Sequence, residues 1–382
     1  MKKYDLLIIG GGVLGTFHAF HALEKGLSVA VLDKNSRPQG SSVRNFGQVV
    51  PSGMNAEWQR HGRKSLEIYK SIQAQFDISV RQNGSVYIAS DEEEMTLLEE
   101  LAVINRANDY PSQLLTAQEC LQRYEGLRAD YCRGALFFPE EITLEPRVAL
   151  YRIQQFLVEQ KRLDFFPKTL AVDVETSSEG CAVTASDKRI FHADRVLVCS
   201  GYEFQVLFPD VYAQSDLEAV KLQMLLLEQQ PSQVIPGSIL TGLSIRRYES
   251  FRDCPSYSAI KGREDPDSPA KKWGVHILFK QTTDGSIIVG DSHEYADAAD
   301  AENLRIETKA EINRFMLDEA AKIFDLQNWR LRETWNGMYT QCKSSDIFRH
   351  SIGDRIHLLT GIGGKGMTAS AGYSFENIKK YT

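Results

Sequence analysis

The chain has 382 residues, 42% hydrophobic and 25% charged, which at about 150 residues per domain suggests two or three domains and excludes a small stapled scaffold. Its 44 Lys and Arg against 51 Asp and Glu give a net charge of −7, which argues against broad binding to nucleic acid or to an anionic membrane surface. The six cysteines form no CxxC pair and no Cys/His zinc spacing, so a reducing, cytoplasmic setting without a structural metal is expected.

Lys2 and Lys3 before Leu6, Leu7, Ile8 and Ile9 imitate a secretory signal, but the apolar run is too short and passes straight into glycines. Residues 4–9 are therefore expected to form a buried strand, 13–25 a helix, and 28–32 a second strand ended by Asp33. Between the first strand and the helix, Gly10-Gly11-Gly12-Val13-Leu14-Gly15 matches G-x-G-x-x-G, and that setting makes the match a strong dinucleotide signal. Gly10 permits a tight turn, Gly12 lets a pyrophosphate approach the backbone, and Gly15 allows close helix packing, while the amides of Val13 and Leu14 sit at the positive helix end. Asp33, 23 positions after Gly10 and followed by Lys34, is placed to accept hydrogen bonds from a ribose. A single copy of the motif favours one tightly held dinucleotide, without separating NAD from FAD.

Further along, Leu66, Tyr69, Ile72 and Phe76 recur at helical spacing, and the acidic run at 91–94 reads as a solvated helix start. Strands are expected at 85–89, 170–174, 221–227, 275–280 and 286–289, with a second helical stripe at Ile312, Phe315, Met316, Ala320, Ile323 and Phe324. A helix over 146–160 precedes a buried strand at 194–199 that stops at Ser200-Gly201, and a strand at 356–360 precedes Gly361, Gly363, Gly364 and Gly366 and a closing helix. No stretch reaches the roughly 18 apolar residues of a membrane span. The expected fold class is α/β: a Rossmann-type dinucleotide-binding domain over 1–77, 141–218 and 330–382, plus an inserted α+β substrate domain over 78–140 and 219–329 with a mainly antiparallel sheet.

These motifs, with the loop Ser41-Ser42-Val43-Arg44-Asn45-Phe46-Gly47 and the segment Gly361-Ile362-Gly363-Gly364-Lys365-Gly366-Met367, resemble the D-amino-acid oxidase superfamily of FAD enzymes, which includes glycine and sarcosine oxidases. The resemblance spans essentially the whole chain. It implies FAD contacts from the glycine loop, Asp33 and Lys34, from Ser41, Ser42, Arg44, Asn45 and Gly47, from Gly201 and Gly337, and from the run of Gly363, Gly364, Lys365, Gly366 and Met367. Gly337 stands where sarcosine oxidases carry a flavin-linking cysteine, so the FAD is expected to be noncovalent. Within the superfamily, residues 42–53 and Gly290-Asp291-Ser292-His293-Glu294-Tyr295 resemble a subgroup associated with aminophosphonate breakdown. Tyr339 replaces the arginine, and Thr368 the lysine, that bind a substrate carboxylate in glycine- and sarcosine-oxidase-like chains. Ile288 occupies the place of an oxygen-activating lysine, so the electron acceptor is oxygen or another oxidant.

Together these features imply oxidation of the amine of a small anionic substrate, 2-aminoethylphosphonate or an N-methyl derivative, by hydride transfer to flavin N5 and hydrolysis of the imine. Lys365 and His293 are the candidate catalytic residues, and Arg44, Arg247, Tyr339 and Arg349 the candidate substrate ligands, with Lys280 a further cation suited to phosphonate oxygens. Glycine-, sarcosine- or D-amino-acid-type oxidation, 2-hydroxy-acid dehydrogenation, and flavin binding without turnover are the alternatives.

Overall fold

In the computed structural model, which describes residues 2–381, Leu6, Leu7 and Ile8 are wholly buried in the strand Lys3–Ile9, as expected where both faces of a parallel strand are covered. That strand pairs in parallel with Val29–Leu32 on one side and with Ile190–Val198 on the other, and Ile190–Val198 pairs in parallel with Ile356–Thr360. Asp164–Phe166 closes one edge of this eight-stranded sheet, and the antiparallel strand Phe348–Ile352 closes the other. The helices Val13–Glu24, Pro146–Lys161 and Gly366–Asn377 pack over one face, with Ala56–Gln73 against the last. The other face is covered through Ala171, Val183, Phe191 and Phe204.

A second sheet of nine strands is mainly antiparallel, its core running through Leu217–Leu227, Ile287–Gly290, Leu278–Gln281, Ser238–Leu240 and Ser85–Ala89. Within this second sheet, only the pairing of Ser238–Leu240 with Ser85–Ala89 is parallel among the described residues. The helix Ala310–Ala321 covers one face through Ile312, Met316 and Ala320, and the opposite face presents Leu222, Leu278 and Tyr339. The strand Leu331–Cys342 falls within the 330–382 segment but hydrogen-bonds along Leu217–Leu227, in this second sheet. Residues 1 and 382, the outer limits of the expected division, lie outside the described residues.

Several expected boundaries shift. The strand expected over 275–280 begins at Leu278, leaving His276 in the approach to it. Phe76, Ile323 and Phe324 lie past their helices, which end at Gln73 and Ala321, although Phe76 still donates to the carbonyl of Ile72 in helical fashion. The acidic run does start a helix, Glu92–Ala107, with Asp91 accepting from the Glu94 amide, but it is not wholly solvated. Glu94 is buried and accepts from Arg246 Nε at 2.8 Å, because the segment carrying Arg246 packs over that helix end.

Candidate active site

A cavity of about 930 Å³ runs between the two sheets, walled at one end by the glycine loop and at the other by side chains from the second sheet. Three glycines of the motif do different work. At Gly10, with φ +104°, a Cβ would stand 2.3 Å from the carbonyl oxygen of Cys199, and at Gly15 a Cβ would stand 2.0 Å from that of Gly10. Both are required by backbone contacts. Gly12 faces the cavity, where the nearest atom to an added Cβ is Ser42 Oγ at 3.4 Å. Val13, Leu14, Ser41, Ser42 and Asn45 line the same end, and so do Gly201, Gly363, Gly364, Gly366 and Met367.

Asp33 lies behind this loop, outside the cavity lining, and accepts from the Gly11 and Asn35 amides at 2.8 Å each. Burial raises its carboxyl pKa above the ordinary value, partly offset by those amides. Lys34 pairs with Glu203 at 3.0 Å, and Gly47 turns the chain at φ +70° against the Leu144 carbonyl, so neither reaches the cavity.

At the far end, Arg247, Tyr248, His276, Asp291, His293, Tyr295 and Tyr339 converge. Arg247 donates to the Gly274 carbonyl at 3.3 Å and to the Tyr295 hydroxyl at 3.0 Å. His293 Nδ1 lies 2.9 Å from the same Gly274 carbonyl. A carbonyl only accepts, so this contact places the His293 proton on Nδ1 and a lone pair on Nε2. Burial holds His293 far below the ordinary histidine range, at about 3, with Arg247 adding to the effect and Asp291 opposing it. Burial also lowers His276, whose Nδ1 contacts Ser244 Oγ at 3.1 Å and whose Nε2 approaches Asp291 Oδ1 to 2.8 Å. Burial alone would raise Asp291, but His293, His276 and Arg247 hold it ionised, near 2.

Of the other expected site residues, Gly337 and Arg44 adjoin each other at the cavity wall, and a Cβ on Gly337 would meet the Arg44 carbonyl at 3.2 Å. The Arg44 guanidinium donates to the carbonyls of Gln39 and Asn336 at 2.8 and 3.0 Å. Lys365, a candidate catalytic residue, lines the cavity, where its ammonium pairs with Glu249 at 2.9 Å and Asp346 at 3.0 Å. Arg349 is corrected outright. It is exposed on the edge strand Phe348–Ile352, outside the cavity, because strand alternation turns Phe348 towards the core and Arg349 away. Lys280 is equally remote, fully buried and bonded to the Leu144 carbonyl and to Glu145. The sequence reading missed Tyr248, Arg252, His276 and Asp291 as site residues.

A family model described as FAD dependent oxidoreductase matches residues 5–374. An opine oxidase subunit from Rhizobium meliloti is 22% identical over 351 residues, covering 88% of this chain and 82% of that protein. Among solved structures, glycine oxidase from Geobacillus kaustophilus superposes with a TM-score of 0.76 at 16% identity over 99% of this chain and 95% of that one. L-alpha-glycerophosphate oxidase from Mycoplasma pneumoniae, determined with FAD bound, gives 0.76 at 15% identity with the same coverage. The residues present fit FAD: Gly12 opens on the cavity, an added Cβ at Gly201 or Gly364 meets nothing within 4 Å, and Gln48 Nε2 is a buried donor in the wall without a hydrogen-bond partner. No helix among the described residues is long and apolar enough to cross a membrane.

Proposed function

This chain belongs to the family of FAD-dependent oxidoreductases, and on that premise we propose that it oxidises the amine of a small anionic substrate, 2-aminoethylphosphonate or its N-methyl derivative. The observation that carries the reading is the Gly274 carbonyl, which holds both the Arg247 guanidinium and the His293 ring at the end of the cavity. FAD, when bound, supplies the two-electron acceptor for the carbon–hydrogen bond next to nitrogen. Before that bond breaks, the substrate ammonium must lose a proton, and His293 Nε2 offers a lone pair in the required tautomer. Arg247 binds the anion, with Arg44 and Arg252 also lining the cavity, and guanidinium forks suit the three oxygens of a phosphonate. Tyr339, half-buried, lies against His293 at a ring separation of 6.4 Å, at the position where the resemblance implies a carboxylate-binding arginine. Gly337 offers no side chain for a covalent link, so the FAD is held noncovalently. All six cysteines are buried and unpaired, as suits the cytoplasm.

Anaerobic stopped-flow tests the reading. The aminophosphonates are expected to reduce the flavin at least about tenfold more efficiently than glycine, sarcosine or 2-hydroxy acids, the worth of one charge-assisted contact. Arg247→Met should remove most of that advantage, and Arg349→Met none of it. Glycine or sarcosine reacting as well as the aminophosphonates would sink the phosphonate assignment, and no reduction by any amine would sink the amine reading as a whole.

A further inference from the structure

Asp291 is the least explained group in the cavity. The residue is only 8% exposed, yet no hydrogen bond is assigned to Oδ1. His276 Nε2 comes within 2.8 Å and His293 Nδ1 within 3.8 Å, but the His293 proton is directed at Gly274 and burial disfavours the charged form of both rings. Arg247 lines the same cavity and spends its bonds on Gly274 and Tyr295, not on Asp291. The chamber thus holds a separated negative and positive charge. A buried carboxylate is costly unless a cation pairs with it directly.

We infer that Asp291 binds the substrate's ammonium group, so that the chamber selects zwitterions, with the ammonium on Asp291 and the anionic group on Arg247. The inference rests on the amine reading above and names the residue that recognises the amine. A primary ammonium has three N–H bonds and an N-methyl ammonium two, so either donates one to Asp291 while a second points to His293 Nε2. The proton then passes from nitrogen to that imidazole, leaving a neutral amine and an imidazolium. A divalent cation is the competing occupant, since donor atoms of His276, Asp291 and His293 lie within 4.8 Å of one another. The Arg247 charge and the commitment of His293 Nδ1 to Gly274 favour the ammonium.

The test uses FAD-loaded protein and ligands that cannot be oxidised, read by perturbation of the flavin absorbance. 2-Aminoisobutyrate is compared with pivalate, and 2-amino-2-methylpropylphosphonate with 2,2-dimethylpropylphosphonate. Within each pair an ammonium replaces a methyl group of similar size, and the carbon bearing nitrogen has no hydrogen to lose. In the unaltered protein the amine of at least one pair should bind about tenfold or more tightly than its isostere. Asp291→Asn should erase most of that preference while leaving the amine-free anion bound as well or better, and Asp291→Glu should retain part of it. FAD content and melting temperature report whether each variant folds. The proposal is overturned if the unaltered protein shows no amine preference or binds neither member, if Asp291→Asn preserves the preference, or if it weakens both members equally. It is equally overturned if zinc or manganese binds one to one in the unaltered protein and not in Asp291→Asn. If the preference holds but no amine reduces the flavin, the proposed reaction fails and the assignment of Asp291 stands.

Discussion

Alanine at each glycine of the nucleotide loop should separate structural need from ligand need. At Gly15 the new Cβ would stand 2.0 Å from the Gly10 carbonyl oxygen, a backbone atom fixed by the neighbouring strand, so helix and strand must part. Overpacking of that kind costs about 1–3 kcal/mol or more. At Gly12 the nearest neighbour is 3.4 Å away, an ordinary contact, and the residue is extended at the start of the helix. Alanine is a poorer N-cap than glycine, so the FAD-free protein should lose no more than about 1 kcal/mol. FAD binding should respond the other way. The Gly12 methyl projects where a phosphate must meet the backbone, and each charge-assisted hydrogen bond lost there costs about 1.5–3 kcal/mol, or roughly tenfold to a hundredfold in affinity. Denaturant unfolding of the FAD-free variants, with FAD titration followed by quenching of flavin fluorescence, measures both quantities. Equal destabilisation by Gly12→Ala and Gly15→Ala, or unchanged FAD affinity in Gly12→Ala, would refute the division of roles.

Two further outcomes follow from groups around the cavity. Lys365→Met leaves Glu249 and Asp346 facing a methyl group, and because all three side chains are partly exposed, at 16, 26 and 39%, the loss should be about 1 kcal/mol of stability. Loss in the double variant Lys365→Met, Glu249→Gln equal to the sum of the two single losses would show that the pair does not interact. Glu141 is wholly buried among Ser52, Ser85 and Tyr110, and burial raises its carboxyl to about 7 against an ordinary 4.5. The native state therefore holds its proton more tightly than the unfolded chain does. The corresponding stability is present below pH 4.5 and falls as pH rises towards 7, by up to roughly 3 kcal/mol. Unfolding free energies at pH 4.5 and 7.5 should show that fall in the unaltered protein and a flatter profile in Glu141→Gln; parallel profiles would dismiss the assignment.

The features that sequence reveals best are those whose physics is local. The strands Ser85–Ala89 and Ile356–Thr360 coincide with their expected limits because apolar runs bounded by turn residues leave little choice of register. The glycine loop is similarly legible, since turn, helix start and close contact all fall within six residues. The far end of the cavity is harder, because its members meet only through pairing. Yet His276 and Asp291, 15 positions apart, carry a usable signal: two strands expected at 275–280 and 286–289 around Thr282-Thr283-Asp284-Gly285 form a hairpin whose register sets Leu278 against Gly290. Continuing that ladder sets Ile277 against Asp291 and brings His276 one step further along the same pair of chains, where the His276 amide donates to the Asp291 carbonyl at 3.1 Å. Cations defeat the sequence for a different reason. Whether an ammonium is free for catalysis depends on every acid the fold brings near it, and for Lys365 one such acid, Glu249, lies 116 positions away. Its place in the late glycine segment puts Lys365 at the cavity but says nothing about those partners. Arg247 presents the converse: it belongs to no motif, and it reaches the chamber because Gly274, at φ +56°, turns its carbonyl towards both the guanidinium and the His293 ring. A Cβ at that glycine would stand 2.9 Å from the His293 Cβ, so the backbone that aligns the two side chains tolerates no larger residue there.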